Sequence, residues 1–94
     1  MIMIATLKGF IQQLAPVNGV RINAVTGGSG PAILLLHGWP ETWWEWHDVM
    51  PLLAKHFSVV AIDLRGAGFS DCPIDGYEKA AMARDAHEVM VARA

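Results

Sequence analysis

Two segments of the chain are almost entirely apolar and show no alternation with polar residues. They are Ala32–Leu36 and Ser58–Ile62, and both are bounded by residues typical of loops. Short continuous apolar runs of this kind predict strands that are buried on both faces of a sheet. Residues 41–56 between them have a helical pattern, in which Pro51 is expected to start a new turn. The order strand, helix, strand predicts a βαβ unit with a right-handed crossover.

A β-hairpin is predicted before this unit. Its strands are residues 10–15 and residues 20–25, and the second alternates between two sets of residues, which favours one buried face. Asn18 and Gly19 lie between the strands, and both tolerate the positive φ that a tight hairpin turn requires. The glycine-rich residues 27–31 then predict a loop.

The end of the chain predicts a long loop, residues 63–76, followed by a helix from Tyr77 onward. Asp75 and Glu78 have the spacing of an N-cap and its capping box. Four residues fall on one face of this helix: Met82, Ala86, Val89 and Arg93. No strand follows to cover that face, so we expect it to be exposed, together with an unpaired strand edge at Ser58–Ile62 through which the chain could self-associate.

Composition excludes several classes of protein. The chain has 94 residues, enough for one domain, and 53% of them are hydrophobic, but no apolar run approaches the roughly 20 residues of a membrane-spanning helix. The net charge is −2 and the seven Lys and Arg are scattered, which argues against nucleic acid as a partner. The single cysteine, Cys72, rules out an intrachain disulfide and predicts a cytoplasmic protein. Residues 1–8 are apolar but have no basic residues before them, so no signal peptide is predicted.

The first motif is His37-Gly38-Trp39-Pro40, directly after the first apolar strand. Gly38 allows a sharp turn and Pro40 restricts the φ angle that follows. Such a turn can point the backbone N–H of Trp39 out of the carboxyl edge of the sheet, where ligands bind in open α/β folds. A fixed N–H there can stabilise an oxyanion. On spacing alone, an ordinary strand-to-helix turn is the better interpretation.

The second motif is DLRGAGFSD, residues 63–71, directly after the second apolar strand. Its glycines invite a dinucleotide-binding interpretation, but the third glycine position is Asp71 and the next helix begins only near Tyr77. A structural loop fits better, in which Asp63 and Arg65 pair with each other or with nearby backbone.

Together, in this order, the two motifs resemble the N-terminal region of α/β-hydrolase-fold enzymes. The branch that fits best contains epoxide hydrolases and haloalkane or haloacetate dehalogenases, on the basis of HGWPET at residues 37–42, WWEW at residues 43–46 and MPLL at residues 50–53. The resemblance covers residues 9–94. It implies an α/β fold: the N-terminal part of an α/β-hydrolase sheet, a hairpin and then βαβα, with residues 1–94 as a partial core domain.

The resemblance also implies roles for the residues of the first motif. Trp39 matches the position whose backbone N–H is one donor of the oxyanion hole, the catalytic feature within this chain. Pro40 matches a proline that often follows a cis peptide bond. His37 and Gly38 match positions that shape the turn, and together with Pro40 they are expected to border the substrate. Residues 63–71 match a structural loop.

The chain departs from the family in lacking a nucleophile elbow. Neither Gly-x-Asp-x-Gly nor Gly-x-Ser-x-Gly occurs in the sequence, and the nearest segment, residues 68–72, lacks the second glycine. The catalytic acid and the catalytic histidine come later in such enzymes. We therefore expect a segment of an epoxide hydrolase-like protein, truncated before the elbow, whose full-length parent hydrolyses a small molecule in two steps through an alkyl-enzyme ester. A serine-nucleophile esterase and a non-catalytic, inactive product remain alternatives.

The histidines and tryptophans carry more modest expectations. His47, His56 and His87 show no metal-ligand spacing, so we expect solvated or hydrogen-bonded side chains and no cofactor. The aromatic cluster Trp43, Trp44 and Trp46 could form a substrate-binding wall. A packing or rim role for at least two of the three fits better, because each ring buries a large area.

Overall fold

The computed structural model describes residues 7–92, so residues 1–6 and residues 93 and 94, among them Arg93 of the predicted helix face, lie outside it. The elements follow the predicted order of a hairpin and then βαβα. They are β1 (Ile11–Val17), β2 (Val20–Gly28), β3 (Ala32–Leu36), a 3₁₀ helix (Trp43–Trp46), α1 (Met50–Leu53), β4 (Ser58–Ile62) and α2 (Lys79–Ala92). None of the helices formed by the described residues is long and apolar enough to cross a membrane.

The four described strands form one mixed sheet in the order β1-β2-β4-β3. The long strand β2 pairs with β1 and also with β4, where Val25 lies opposite Ala61. β4 is parallel to β3 on its other side, with Leu34 opposite Val60. The predicted unpaired edge at Ser58–Ile62 is therefore wrong. β4 is an inner strand, and the edge next to it belongs to β3.

Both faces of the sheet are covered at β2, whose residues 22–26 are all buried. The single buried face predicted for this strand is therefore wrong. Ile22 packs in one apolar cluster with Val89 of α2. Val25 packs on the opposite face with Trp43 and Met50. The strand is central to a three-layer arrangement, so neighbouring side chains are buried on opposite sides.

Helix α2 begins at Lys79, two residues later than predicted, and Asp75 is not its N-cap. The segment before the helix bends at Asp75 instead: Gly76 has a φ of +86°, and the guanidinium of Arg65 donates a hydrogen bond to the carbonyl of Asp75 at 3.4 Å. The face expected to be exposed is buried at two of its described residues, Ala86 and Val89. It is buried because α2 packs on the hairpin, and no further strand is needed to cover it.

Residues 41–56 form two short helices rather than one. The hydroxyl of Thr42 accepts a hydrogen bond from the N–H of Trp44 at 3.3 Å and caps the 3₁₀ helix. Pro51 lies in the first turn of α1, where its missing N–H costs nothing, as the sequence predicted.

Candidate functional site

The loop that follows β3 is a tight turn at the carboxyl end of the strand. The peptide bond between Trp39 and Pro40 is cis. The N–H of Glu41 donates to the carbonyl of Gly38 at 2.7 Å and closes the turn. A cis-proline at the third position is the hallmark of a type VI turn. The segment predicted to form a sharp turn does so, and its proline follows a cis bond as the resemblance implied.

His37 is buried, and both of its ring nitrogens are engaged. Nε2 accepts a hydrogen bond from the backbone N–H of Leu64 at 3.0 Å. Nδ1 therefore carries the ring proton and donates it to the carbonyl of Gly38 at 2.9 Å. This neutral tautomer leaves no lone pair free to remove a proton from a substrate. The side chain instead joins the turn after β3 to the loop after β4.

The backbone of the turn has one donor without a partner among the described residues. The N–H of Gly38 donates to Oε1 of Glu45 at 3.1 Å. The N–H of Trp39 donates to no acceptor within residues 7–92. Its side chain is 88% exposed and projects away from the core. The hydrogen bonds around Gly38 thus orient the turn and do not engage the Trp39 N–H.

The carboxylate of Asp63, fully buried at the end of β4, is held by three N–H donors. Oδ1 accepts from the backbone of Trp43 at 2.7 Å. Oδ2 accepts from the backbone of Phe69 and from Nδ2 of Asn23, each at 3.0 Å. The predicted contact of Asp63 with nearby backbone is confirmed, and its predicted pairing with Arg65 is wrong. The carboxylate therefore fixes the 3₁₀ helix and the loop after β4 relative to each other.

Arg65 pairs with Asp85 of α2 instead. Nε and Nη2 of the guanidinium donate to the two carboxylate oxygens at 2.7 and 2.8 Å, and both side chains are buried. Nδ2 of Asn18, in the hairpin turn, also donates to Asp85 at 2.8 Å. The hydrogen bond to Asp85 raises the pKa of Arg65 above its ordinary value. This charge is engaged within the fold and is not available to a bound anion.

An open, largely apolar cleft of about 380 Å³ lies beside the turn. Its lining includes His37 and Trp39 of the turn, together with Leu64, Tyr77 and Met82. The last three come from the loop after β4 and from the region of α2, and no spacing in the sequence indicated that they would meet. Cys72 also lines the cleft. Its thiol donates to the carbonyl of Ser70 at 3.9 Å and forms no hydrogen bond with a basic side chain among the described residues.

The remaining histidines and tryptophans pack against the fold, form local hydrogen bonds or face solvent. Trp43 is fully buried and Trp46 packs against the same apolar cluster, which confirms a packing role for at least two of the tryptophans. His47 stacks on Trp44 with ring centroids 4.0 Å apart. Nδ1 of His47 also hydrogen-bonds to the carbonyl of Trp44, as expected for a hydrogen-bonded histidine. His56 and His87 are exposed.

Several known proteins are similar to this chain in sequence. A soluble epoxide hydrolase from Corynebacterium sp. is 50% identical over 76 residues, which is 81% of this chain and 27% of that protein. A fluoroacetate dehalogenase from Burkholderia sp. is 48% identical over 88 residues, which is 88% of this chain and 29% of that protein. The chain therefore spans less than a third of the length of these relatives.

A solved structure and a family model also match this chain. An epoxide hydrolase from an endophytic Streptomyces superposes with a TM-score of 0.87 at 38% identity, covering 92% of this chain and 27% of that one. Residues 31–93 match the model of the alpha/beta hydrolase fold family. The two motifs, the mixed sheet and these similarities show that the chain belongs to the alpha/beta hydrolase fold family and corresponds to an N-terminal segment of it.

Proposed function

We propose that this chain supplies half of an oxyanion hole to an epoxide hydrolase-like enzyme, with the backbone N–H of Trp39 as the donor. The observation that carries the proposal is that this N–H has no partner among the described residues, whereas the neighbouring N–H of Gly38 is engaged by Glu45. A donor held rigidly before the reaction stabilises developing negative charge without reorganising. His37, Gly38 and Pro40 then border the substrate through the shape of the turn rather than through free polar groups.

The reaction proposed for the full-length protein has two steps. A carboxylate opens the epoxide and forms an alkyl-enzyme ester, and a water molecule activated by a histidine and an acid then cleaves that ester. The Trp39 N–H stabilises the oxyanion that forms on the ester during the second step. The small-molecule substrate would enter over the apolar cleft, where Arg65 offers no free charge because it is paired with Asp85. The 94-residue chain contains no nucleophile elbow, so we expect it to be inactive alone.

The decisive experiment is a chimera in which this chain replaces the matching segment of the Corynebacterium epoxide hydrolase. Trp39→Pro removes the N–H, and we expect kcat for an epoxide to fall by about 10²–10³-fold, the usual effect of losing one oxyanion donor. Trp39→Phe retains the N–H and is the matched control, with kcat changed only a few-fold. Circular dichroism verifies that both variants fold. Equal activity of the Pro and Phe variants would exclude the proposed role of Trp39.

A serine-nucleophile esterase of the same fold would use the same N–H, so the nucleophile decides between the two reactions. In the coding sequence beyond residue 94, Gly-x-Asp-x-Gly after a strand would support the epoxide hydrolase and Gly-x-Ser-x-Gly the esterase. Hydrolysis of an epoxide or of a p-nitrophenyl ester by the purified 94-residue chain would refute its proposed inactivity. We also propose a cytoplasmic location, which the single cysteine supports and subcellular fractionation would test.

A further inference from the structure

Two peptide groups meet at Gly38, and hydrogen bonds hold both of them. The first peptide links His37 to Gly38, and its N–H donates to Oε1 of Glu45 at 3.1 Å. The second peptide links Gly38 to Trp39. Its carbonyl accepts from Nδ1 of His37 at 2.9 Å and from the N–H of Glu41 at 2.7 Å. A glycine restricts its own backbone angles less than any other residue, so these contacts determine how the two peptides lie.

The direction of the Trp39 N–H depends on both peptides. In a planar trans peptide the N–H and the C=O point in opposite directions, so the Trp39 N–H points away from the carbonyl of Gly38. The two donors on that carbonyl orient the second peptide within the turn. The hydrogen bond to Glu45 orients the first peptide, and the backbone angles of Gly38 relate one peptide to the other. Loss of the contact with Glu45 would therefore let the Trp39 N–H change direction.

The backbone of Glu45 is fixed, although the residue is exposed. Its N–H donates to the carbonyl of Thr42, the N-cap of the 3₁₀ helix, at 3.0 Å. The N–H of Trp43, the first residue of that helix, donates to the buried carboxylate of Asp63 at 2.7 Å. The helix thus presents the carboxylate of Glu45 to Gly38 from an anchored position. A hydrogen bond to a charged acceptor is also stronger than one to a neutral acceptor.

We propose that Glu45 is a positioning residue for the oxyanion donor. Its carboxylate holds the N–H of Gly38, and through Gly38 it keeps the N–H of Trp39 directed at the ester. Glu45 acts as a hydrogen-bond acceptor and takes no part in bond making or breaking. The inference rests on the role proposed above for Trp39.

Single-turnover kinetics of the chimera with the Corynebacterium epoxide hydrolase test this role, with styrene oxide as the probe. Such measurements separate formation of the ester from its hydrolysis. Glu45→Ala should slow ester hydrolysis about tenfold, because a misdirected donor stabilises the oxyanion less, and should change ester formation less than about twofold. Glu45→Gln keeps an acceptor oxygen and should hydrolyse the ester within about threefold of the unmodified rate.

Asp48→Ala is the matched control for these rates. It removes another carboxylate close by in the chain, 89% exposed, and should change neither step. A Glu45→Ala variant that hydrolyses the ester at the unmodified rate, or that slows both steps equally, overturns the proposal. A Glu45→Gln variant as slow as Glu45→Ala also overturns it, because the acceptor oxygen would then not be what matters.

A double variant tests whether Glu45 acts through Trp39. Trp39→Pro removes the donor, so adding Glu45→Ala should slow ester hydrolysis no further. Independent losses that multiply would overturn this inference and leave the role of Trp39 intact. Unchanged ester hydrolysis in Trp39→Pro alone would overturn the proposed function, and this inference with it.

Amide hydrogen exchange in the 94-residue chain tests the contact without turnover. The N–H of Gly38 should exchange about tenfold faster in Glu45→Ala than in the unmodified chain or in Asp48→Ala. The reference is the amide of Ala61, which lies in the inner strand β4 and should exchange equally in all three. Equal exchange of the Gly38 amide with and without the Glu45 carboxylate would overturn the proposal.

Discussion

Oδ1 of Asp63 accepts a hydrogen bond from the backbone N–H of Trp43 at 2.7 Å, across twenty residues of sequence. Asp63 begins the loop after β4, whereas Trp43 begins the 3₁₀ helix that follows the turn of Trp39 and Pro40. The contact fixes the 3₁₀ helix that follows the first motif relative to Asp63, the first residue of the second motif. The buried carboxylate binds two further N–H groups and has no cationic partner among the described residues, so these donors alone compensate its charge.

Replacing Asp63 by Asn should destabilise the fold markedly. The amide keeps one acceptor oxygen but turns an N–H₂ group toward backbone donors, which leaves at least one buried N–H without a partner. We expect the free energy of unfolding to fall by about 2–3 kcal/mol, measured by urea denaturation with tryptophan fluorescence. Asp75→Asn is the control, because Asp75 is exposed and should have little effect. Equal stability of the two variants would show that the N–H groups find other partners.

Gly68 should not tolerate a side chain. Its φ is +52°, and a Cβ at this position would collide with the carboxylate of Asp63. Gly9 also has a positive φ, +86°, but a Cβ there would meet no atom within 4 Å. Gly9→Ala therefore measures the backbone cost alone, about 1–2 kcal/mol. Gly68→Ala should cost at least about 1 kcal/mol more in thermal or urea unfolding, and an equal cost at both positions would exclude the collision.

Local features of this fold were predictable from sequence. The apolar runs at β3 and β4 match the observed strands residue for residue. The burial predicted for both faces holds for β4, which is buried from Val59 to Ile62, and is wrong for β3 within the described residues, where only Leu35 is buried. The hairpin turn was also predictable, since Asn18 and Gly19 adopt φ values of 50° and 78°. The turn containing Pro40 follows from its glycine and proline. Each of these features is determined by neighbouring residues in the chain.

Pairing between distant segments was not predictable in the same way. The position of β4 between β2 and β3 depends on the pairing of Val25 with Ala61, which no local pattern specifies. For the same reason the sequence did not indicate that Arg65 would pair with Asp85, twenty residues away in the chain, and not with Asp63, two residues away. The partner of Arg65 is set by the packing of α2 on the hairpin, which brings a buried carboxylate within reach.

The buried pair of Arg65 and Asp85 should show strong coupling. Arg65→Met alone leaves the carboxylate buried without its cation, and Asp85→Leu alone leaves the guanidinium buried without its anion. Each should lower the free energy of unfolding by about 3 kcal/mol. The double variant should be clearly more stable than the sum of the two losses predicts. Additive losses in this double-mutant cycle would mean that the two side chains do not stabilise each other.

His37 should be a neutral imidazole with its proton on Nδ1, the less common tautomer of a free histidine. In a long-range ¹H–¹⁵N spectrum at mildly alkaline pH, Nδ1 should have the shift of a protonated ring nitrogen and Nε2 that of an unprotonated one. The exposed His56 provides an internal reference with averaged tautomers. A proton on Nε2 of His37 would be incompatible with the hydrogen bond from Leu64.

The ion pair between Arg21 and Asp71 should make stability depend on pH at the acid end. The side-chain hydrogen bond from Arg21 lowers the pKa of Asp71 below the ordinary 3.8. A carboxyl whose pKa is lowered in the folded state stabilises the fold above its ordinary pKa, and this contribution is lost as the pH falls through the lowered value. The pair is largely exposed, with Arg21 and Asp71 side chains 63% and 34% accessible, so the contribution should be small and weakened by salt.

Asp71→Asn removes this titration and is the direct test. At neutral pH the variant should melt at a lower temperature than the unmodified chain, and the difference should shrink once the pH falls below 3.8. Asp48→Asn is the control, because the Asp48 side chain is 89% exposed and forms one ion pair among the described residues, with His47, so its effect should stay near zero in the same range. The difference between Asp71→Asn and the unmodified chain could instead persist unchanged at low pH. That result would mean that the charge of Asp71 does not stabilise the fold and that backbone contacts of residue 71 do, including the hydrogen bond from its N–H to the carbonyl of Arg21 at 2.9 Å.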